Sequence, residues 1–124
     1  MTSASPLVSV VDDDDSIRES LPDLVKALGF RVEAFSSAEE FLASDSVGRT
    51  SGLILDVAMP GMTGLELQQE LARRGQSIPT VFITARRDAT IRRHLIEQGA
   101  VECLFKPFSE AALQEALNLA LRMN

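Results

Sequence analysis

Four consecutive carboxylates, Asp12, Asp13, Asp14 and Asp15, follow the apolar run LVSVV and stand just before a helical pattern. Asp56 follows a second apolar run, GLIL; Thr84 ends a third, VFIT; and Lys106 follows a fourth, VECLF. Carboxylates gathered in one pocket repel, and they ionise together only when a cation joins them. Oxygen-only ligands suit a hard cation such as Mg²⁺, which keeps several waters and bridges carboxylates to phosphate. No histidine or cysteine adjoins these carboxylates, which disfavours zinc and copper. With the cation in place, one carboxylate can attack phosphorus and become an acyl phosphate. The metal and the Lys106 ammonium would offset charge on the transferring group, and the Thr84 hydroxyl would donate a hydrogen bond to it.

That chemistry requires positions far apart in the chain to meet, and the surrounding elements show how they do. Short apolar runs at 7–11, 31–35, 52–55, 79–83 and 101–105 read as strands. Between them lie amphipathic segments, each closed by turn residues or glycine. Ser16 with Glu19, Ser37 with Glu40 and Thr63 with Glu66 have the spacing of capping boxes. Pro22 falls inside the first helix and is expected to kink or strain its second turn. The helix after strand four covers 88–98, and Ser109 opens the last helix.

The order is strand then helix, five times. Near-continuous apolar strands alternating with helices imply a parallel sheet covered on both faces. The expected fold is α/β, a flavodoxin-like (βα)5 doubly wound sheet with strand order 2-1-3-4-5. Its functional crevice lies beyond the carboxyl ends of strands 1 and 3. Asp12 and Asp13 end strand 1, Asp56 ends strand 3, Thr84 ends strand 4, and Lys106 follows strand 5, so all five are expected at one sheet edge.

The chain has 124 residues, read as one domain over 1–124. With 18 acidic and 12 basic residues, its formal charge of −6 disfavours direct nucleic-acid binding. One cysteine excludes an intramolecular disulfide and suits a reducing, cytoplasmic setting. The start, MTSASP, lacks the features of a signal peptide, and no apolar run approaches the ~18 residues of a membrane span.

Taken together, VVDDD (10–14), LILDVAMPGMTGLEL (53–67), VFITA (81–85) and Lys-Pro-Phe (106–108) resemble the receiver domain of two-component response regulators, nearest to the FixJ type. The resemblance runs from about Leu7 to Leu121. It implies that Asp56 is the phosphoacceptor. It also implies that Asp13 and Asp56 bind Mg²⁺ directly, with the Ala58 backbone carbonyl, while Asp12 acts mainly through a metal-bound water. Lys106 would pair with the phosphoryl group, Thr84 would move toward it, and the Lys106–Pro107 peptide would be cis. Asp14 and Asp15 would support the helix dipole. The donor would be a histidine kinase or a small acyl phosphate. The signal would leave through helix 4, strand 5 and helix 5, by homodimerisation or by contact with another domain. Such a domain catalyses only its own phosphorylation and dephosphorylation. FixJ-type regulators usually continue into a DNA-binding output domain, and nothing in this chain resembles one.

Two departures from the family pattern stand out. Cys103 occupies the place of an aromatic residue whose ring normally swings as the threonine moves, so signalling uses another element or the readout is weakened. Phe105 is a candidate substitute. Arg86 and Arg87 follow Thr84 in place of small residues, and Arg86 is expected to alter the phosphoryl lifetime.

Plainer roles suit other residues: a packed hydrophobe for Cys103, a solvated face for His94, and packing or site lining for Met59 and Met62. Arg86, Arg87, Arg92 and Arg93 form either a partner surface or a solvated basic face. The alternative function is an aspartyl-phosphate-forming phosphatase or phosphotransferase. That type wants a second acid two residues after the nucleophile, where this chain has Ala58, and a cap domain. A flavin module on this fold would need a hydroxyl- and glycine-rich loop after strand 1, where this chain is acidic.

Overall fold

The computed structural model describes residues 5–122. The first four residues of the MTSASP start and the last two of the 1–124 span lie outside that range. Five parallel strands form one sheet in the order β2-β1-β3-β4-β5: β1 Leu7–Val11, β2 Arg31–Phe35, β3 Gly52–Asp56, β4 Thr80–Thr84 and β5 Glu102–Phe105. The helices are α1 Asp15–Ala27, α2 Ala38–Ala43, α3 Gly64–Arg73, α4 Ala89–Glu97 and α5 Glu110–Arg122. A short 3-10 turn, Val47–Arg49, precedes β3 and has no counterpart in the sequence reading. The fold class and strand order are those expected.

The three inner strands are buried along their whole length, which is why they carry no polar alternation. Successive side chains still point to opposite faces. Val8, Val10, Ile54 and Ile83 pack with Leu21 and Val25 of α1 and Leu113 and Leu117 of α5. Val11, Leu53, Leu55 and Phe82 pack on the other face with Phe41 of α2, Leu67 and Leu71 of α3, and Leu95 of α4. α1 and α5 therefore form one outer layer, and α2, α3 and α4 the other.

The edge strands need separate protection. On β5, the free-edge N–H of Cys103 donates to Glu102 Oε1 at 2.9 Å. The Cys103 carbonyl accepts from Arg92 Nε at 3.4 Å, and Arg92 pairs with Glu102 at 2.5 Å. One ion pair thus caps both outward backbone groups of that residue. On β2, Glu33 is paired with Arg49 at 3.7 Å and accepts from the Ser46 hydroxyl.

Helix starts differ from the expected ones in two places. α1 is capped by Asp14, whose side chain accepts from the Ser16 N–H at 2.9 Å, so Ser16 and Glu19 form no capping box. The aspartate run extends to the helix itself, and Asp14 reaches the first unpaired N–H groups before Ser16 can. At α2, Ser37 accepts from Glu40 N–H, but Glu40 bonds back to Ser36 N–H instead of Ser37 N–H. Thr63 and Glu66 do form the reciprocal box on α3. α1 runs as one continuous helix through Pro22.

Candidate functional site

Register brings the chemistry together. Val11 pairs with Leu55, so the next residues, Asp12 and Asp56, follow side by side. Asp56 pairs with Ile83, one residue before Thr84, and Thr84 pairs with Phe105, one residue before Lys106. Alternation then selects the face. Asp12 continues the Val8–Val10 stripe, Asp56 continues from Ile54, and Lys106 from Leu104, all toward the α1 and α5 layer. Thr84 follows Phe82 and falls on the other side of the sheet edge.

One ligand oxygen from each of Asp12, Asp13 and Asp56 lies within 4.8 Å of the others. Asp12 is fully buried, Asp56 is 7% exposed, and Asp13 faces solvent. The three carboxylates make an all-oxygen set open on one side, which fits a hard divalent cation that retains water.

The internal partners of these acids are specific. Asp12 Oδ1 accepts from the Asp14 N–H at 2.8 Å, and Asp12 Oδ2 accepts from Lys106 Nζ at 2.9 Å. Lys106 Nζ also stands 3.9 Å from Asp56 Oδ1. A single ammonium therefore serves a cluster of three carboxylates. Burial, followed by the Asp12 charge, pushes Asp56 up to about 7, against the downward pull of Lys106 and of the Ala58 N–H. Its hydrogen bond with Asp13 adds to the rise. The Lys106–Pro107 peptide is cis. Thr84 is buried, and its Oγ1 accepts from the Arg86 N–H at 3.1 Å, leaving the hydroxyl proton free to donate.

Several residues that shape the site carried no chemical signal in the sequence. Arg18 donates to the Asp12 backbone carbonyl at 2.8 Å and pairs with Asp15, so it braces the acidic turn from α1. Gly64 opens α3 directly against β3: a Cβ there would meet the Asp56 carbonyl oxygen at 2.3 Å and the Phe82 ring at 3.0 Å. A glycine at the first position of a helix, where ordinary residues are better helix formers, was the available clue. Among the four arginines considered together, Arg92 is engaged by Glu102 and Arg87 lies 5.8 Å from the Phe105 ring centroid, while Arg86 and Arg93 are exposed. Cys103 is 2% exposed and packs in the core, and burial pushes its thiol up to about 11. Met59 is buried in the same core cluster and Met62 packs against it.

Residues 8–118 match the response regulator receiver domain family. The response regulator protein TmoT of Ectopseudomonas mendocina is 39% identical over 123 residues, covering 99% of this chain and 56% of that protein. A solved structure of the response regulator StyR superposes with a TM-score of 0.88 at 45% identity, covering 98% of this chain and 61% of that one. The FixJ-N crystal structure superposes with a TM-score of 0.86 at 32% identity and covers 100% of this chain and 98% of that one. This chain thus spans a little over half the length of the curated relative. The folded register, the acidic triad with its lysine, and these matches over nearly the whole chain converge: the chain belongs to the response regulator receiver domains of two-component systems, of the FixJ type.

Proposed function

We propose that residues 1–124 act as one phosphorylation-controlled switch in which Asp56 accepts a phosphoryl group from a histidine kinase or a small acyl phosphate. The observation that carries this reading is the meeting of Asp12, Asp13 and Asp56 within 4.8 Å, with Lys106 Nζ 3.9 Å from Asp56. Asp13, Asp56 and the Ala58 carbonyl would hold Mg²⁺ directly, and Asp12 would act through a bound water. When bound, the cation supplies positive charge that favours ionised carboxylates and offsets charge on the phosphoryl oxygens.

The chain's own groups then divide the work. A carboxylate oxygen of Asp56 attacks phosphorus. The bond from phosphorus to the donor's nitrogen or oxygen breaks, and the leaving group departs with the electron pair. Lys106 sits between Asp12 and Asp56 and is placed to follow the new negative charge. Thr84 donates its free hydroxyl proton to a phosphoryl oxygen and gives up the position it holds against the Arg86 N–H. Arg86, exposed two residues beyond Thr84, changes how long the phosphoryl group survives.

The changed state is read on the face of α4, β5 and α5, by pairing of two copies or by an output domain such as a DNA-binding one. Cys103 has no ring to swing, so Phe105, paired in register with Thr84 and 5.8 Å from Arg87, would be the aromatic group that responds. The domain is regulatory and catalyses only its own phosphorylation and dephosphorylation. A histidine-kinase donor and a single cysteine both fit a cytoplasmic setting. No helix among the described residues is long and apolar enough to cross a membrane.

Incubation with a small acyl phosphate, followed by intact-mass measurement, tests the reading. One phosphoryl group should appear on the wild type with Mg²⁺. None should appear with a chelator or on Asp56→Asn. Equal labelling of the Asn variant would reject it.

A further inference from the structure

We infer that Glu39, on α2, is a positioning residue for the loop over residues 57–63, holding it in the shape that presents Asp56 and Ala58 to a divalent cation; this rests on the function proposed above. The loop is tied at three places. At its base, the Gly64 N–H donates to the Val57 carbonyl at 3.1 Å, and the Val57 N–H donates to the Ile83 carbonyl at 3.1 Å. On its inner side, Met59 is 6% exposed and shares a core cluster with Ala38 and Phe41 of α2. At its tip, the Met62 N–H donates to Glu39 Oε2 at 3.1 Å, across 23 positions of sequence.

Gly61 makes that last bond possible. Its φ is +75°, and a Cβ there would stand 2.8 Å from Glu39 Oε2. The bare backbone lets the carboxylate reach the next residue's N–H. Glu39 and Met62 lie near solvent, so water can replace the bond if it is lost. Its contribution is therefore order in the loop, not burial. A loop already confined to its bound shape gives up less entropy when it takes a ligand. Ala58 lies between the buried Met59 and the strand end, and its N–H holds the Asp56 carboxylate. Loosening the tip therefore loosens both groups.

Glu39 also stands in the first turn of α2, where a negative charge favours the helix dipole. The two roles separate with Glu39→Gln, which keeps an acceptor oxygen and loses the charge, against Glu39→Ala, which loses both. In the metal-free protein, the Met62 amide of Glu39→Ala should exchange about threefold to tenfold faster than in the wild type, the range expected for one hydrogen bond of ordinary net strength. Calorimetric titration with MgCl₂ should show the dissociation constant rising by a similar factor. Glu39→Gln should stay within about twofold of wild type in both measurements. Equal Mg²⁺ affinity for wild type and Glu39→Ala would overturn this inference alone, as would a Gln variant that falls as far as the Ala variant. A wild type that binds no magnesium at millimolar concentration would overturn the proposed function, and this inference with it.

Discussion

Asp56→Asn should make the metal-free protein more stable, by an amount that grows with pH. Burial and the neighbouring Asp12 charge raise Asp56 from 3.8 to about 7 in the folded chain. Between those values the folded state keeps a proton that the unfolded chain has released. Stability then falls as pH rises, starting near the unfolded value and ending above the folded one. At 1.36 kcal/mol for each pH unit, the wild type forgoes at most about 4 kcal/mol at pH 8, about 2 kcal/mol at pH 5 and under about 1 kcal/mol at pH 4. Asparagine has nearly the same shape and no charge, so it should recover most of this difference. Urea unfolding of both proteins in the presence of a chelator, from pH 4 to pH 8, measures the gap directly. Millimolar magnesium should narrow or reverse it at pH 8, because a cation held among the acids stabilises the ionised wild type selectively. A variant no more stable than wild type at pH 8, or a gap that stays constant with pH, would refute the reasoning.

The other predictions concern the surroundings of the same acid. Lys106→Met removes the cation 2.9 Å from a fully buried carboxylate. The metal-free protein should lose about 3–5 kcal/mol, and magnesium should restore much of it; thermal unfolding with and without the metal decides, and a loss under about 1 kcal/mol would count against it. Gly64→Ala places a methyl group against the Asp56 carbonyl. It should destabilise by about 1–3 kcal/mol and reduce acyl-phosphate labelling, as urea titration and intact mass would show. Cys103, with its thiol raised to about 11 by burial, should react at pH 8 with a thiol reagent at least about 100-fold more slowly in the native protein than in urea. Comparable rates would place the side chain outside the core.

Much of the architecture is legible along the chain because it is written in short-range pattern. Valine-rich runs of strand length, turn glycines and helical spacing mark five repeats, and only a few connections join such repeats into a parallel sheet. The ends of the strands were equally plain, since Asp12, Asp56, Thr84 and Lys106 each interrupt or follow an apolar run. That Asp12, Asp56 and Lys106 share a face was not legible, because the inner strands are apolar on both faces and only the inter-strand register fixes which side each residue takes. Capping was less legible: with several carboxylates and hydroxyls in succession, Asp14 displaced Ser16 at α1, because the helix began two residues earlier than the Ser-x-x-Glu spacing suggested. Arg92 shows a different limit. It reads as one member of a basic cluster until β5 places Glu102 and the Cys103 carbonyl beside it.

By itself, the sequence determined which residue types stand at the strand ends and which periodicity leads to them. Those properties depend on neighbours a few positions away. Tertiary structure alone decided that Lys106 bonds the buried Asp12, that burial lifts Asp56, that Gly64 must lack a side chain, and that Glu39 reaches Met62. Each of these depends on distance and solvent exclusion between segments that the chain keeps apart and the sheet brings together.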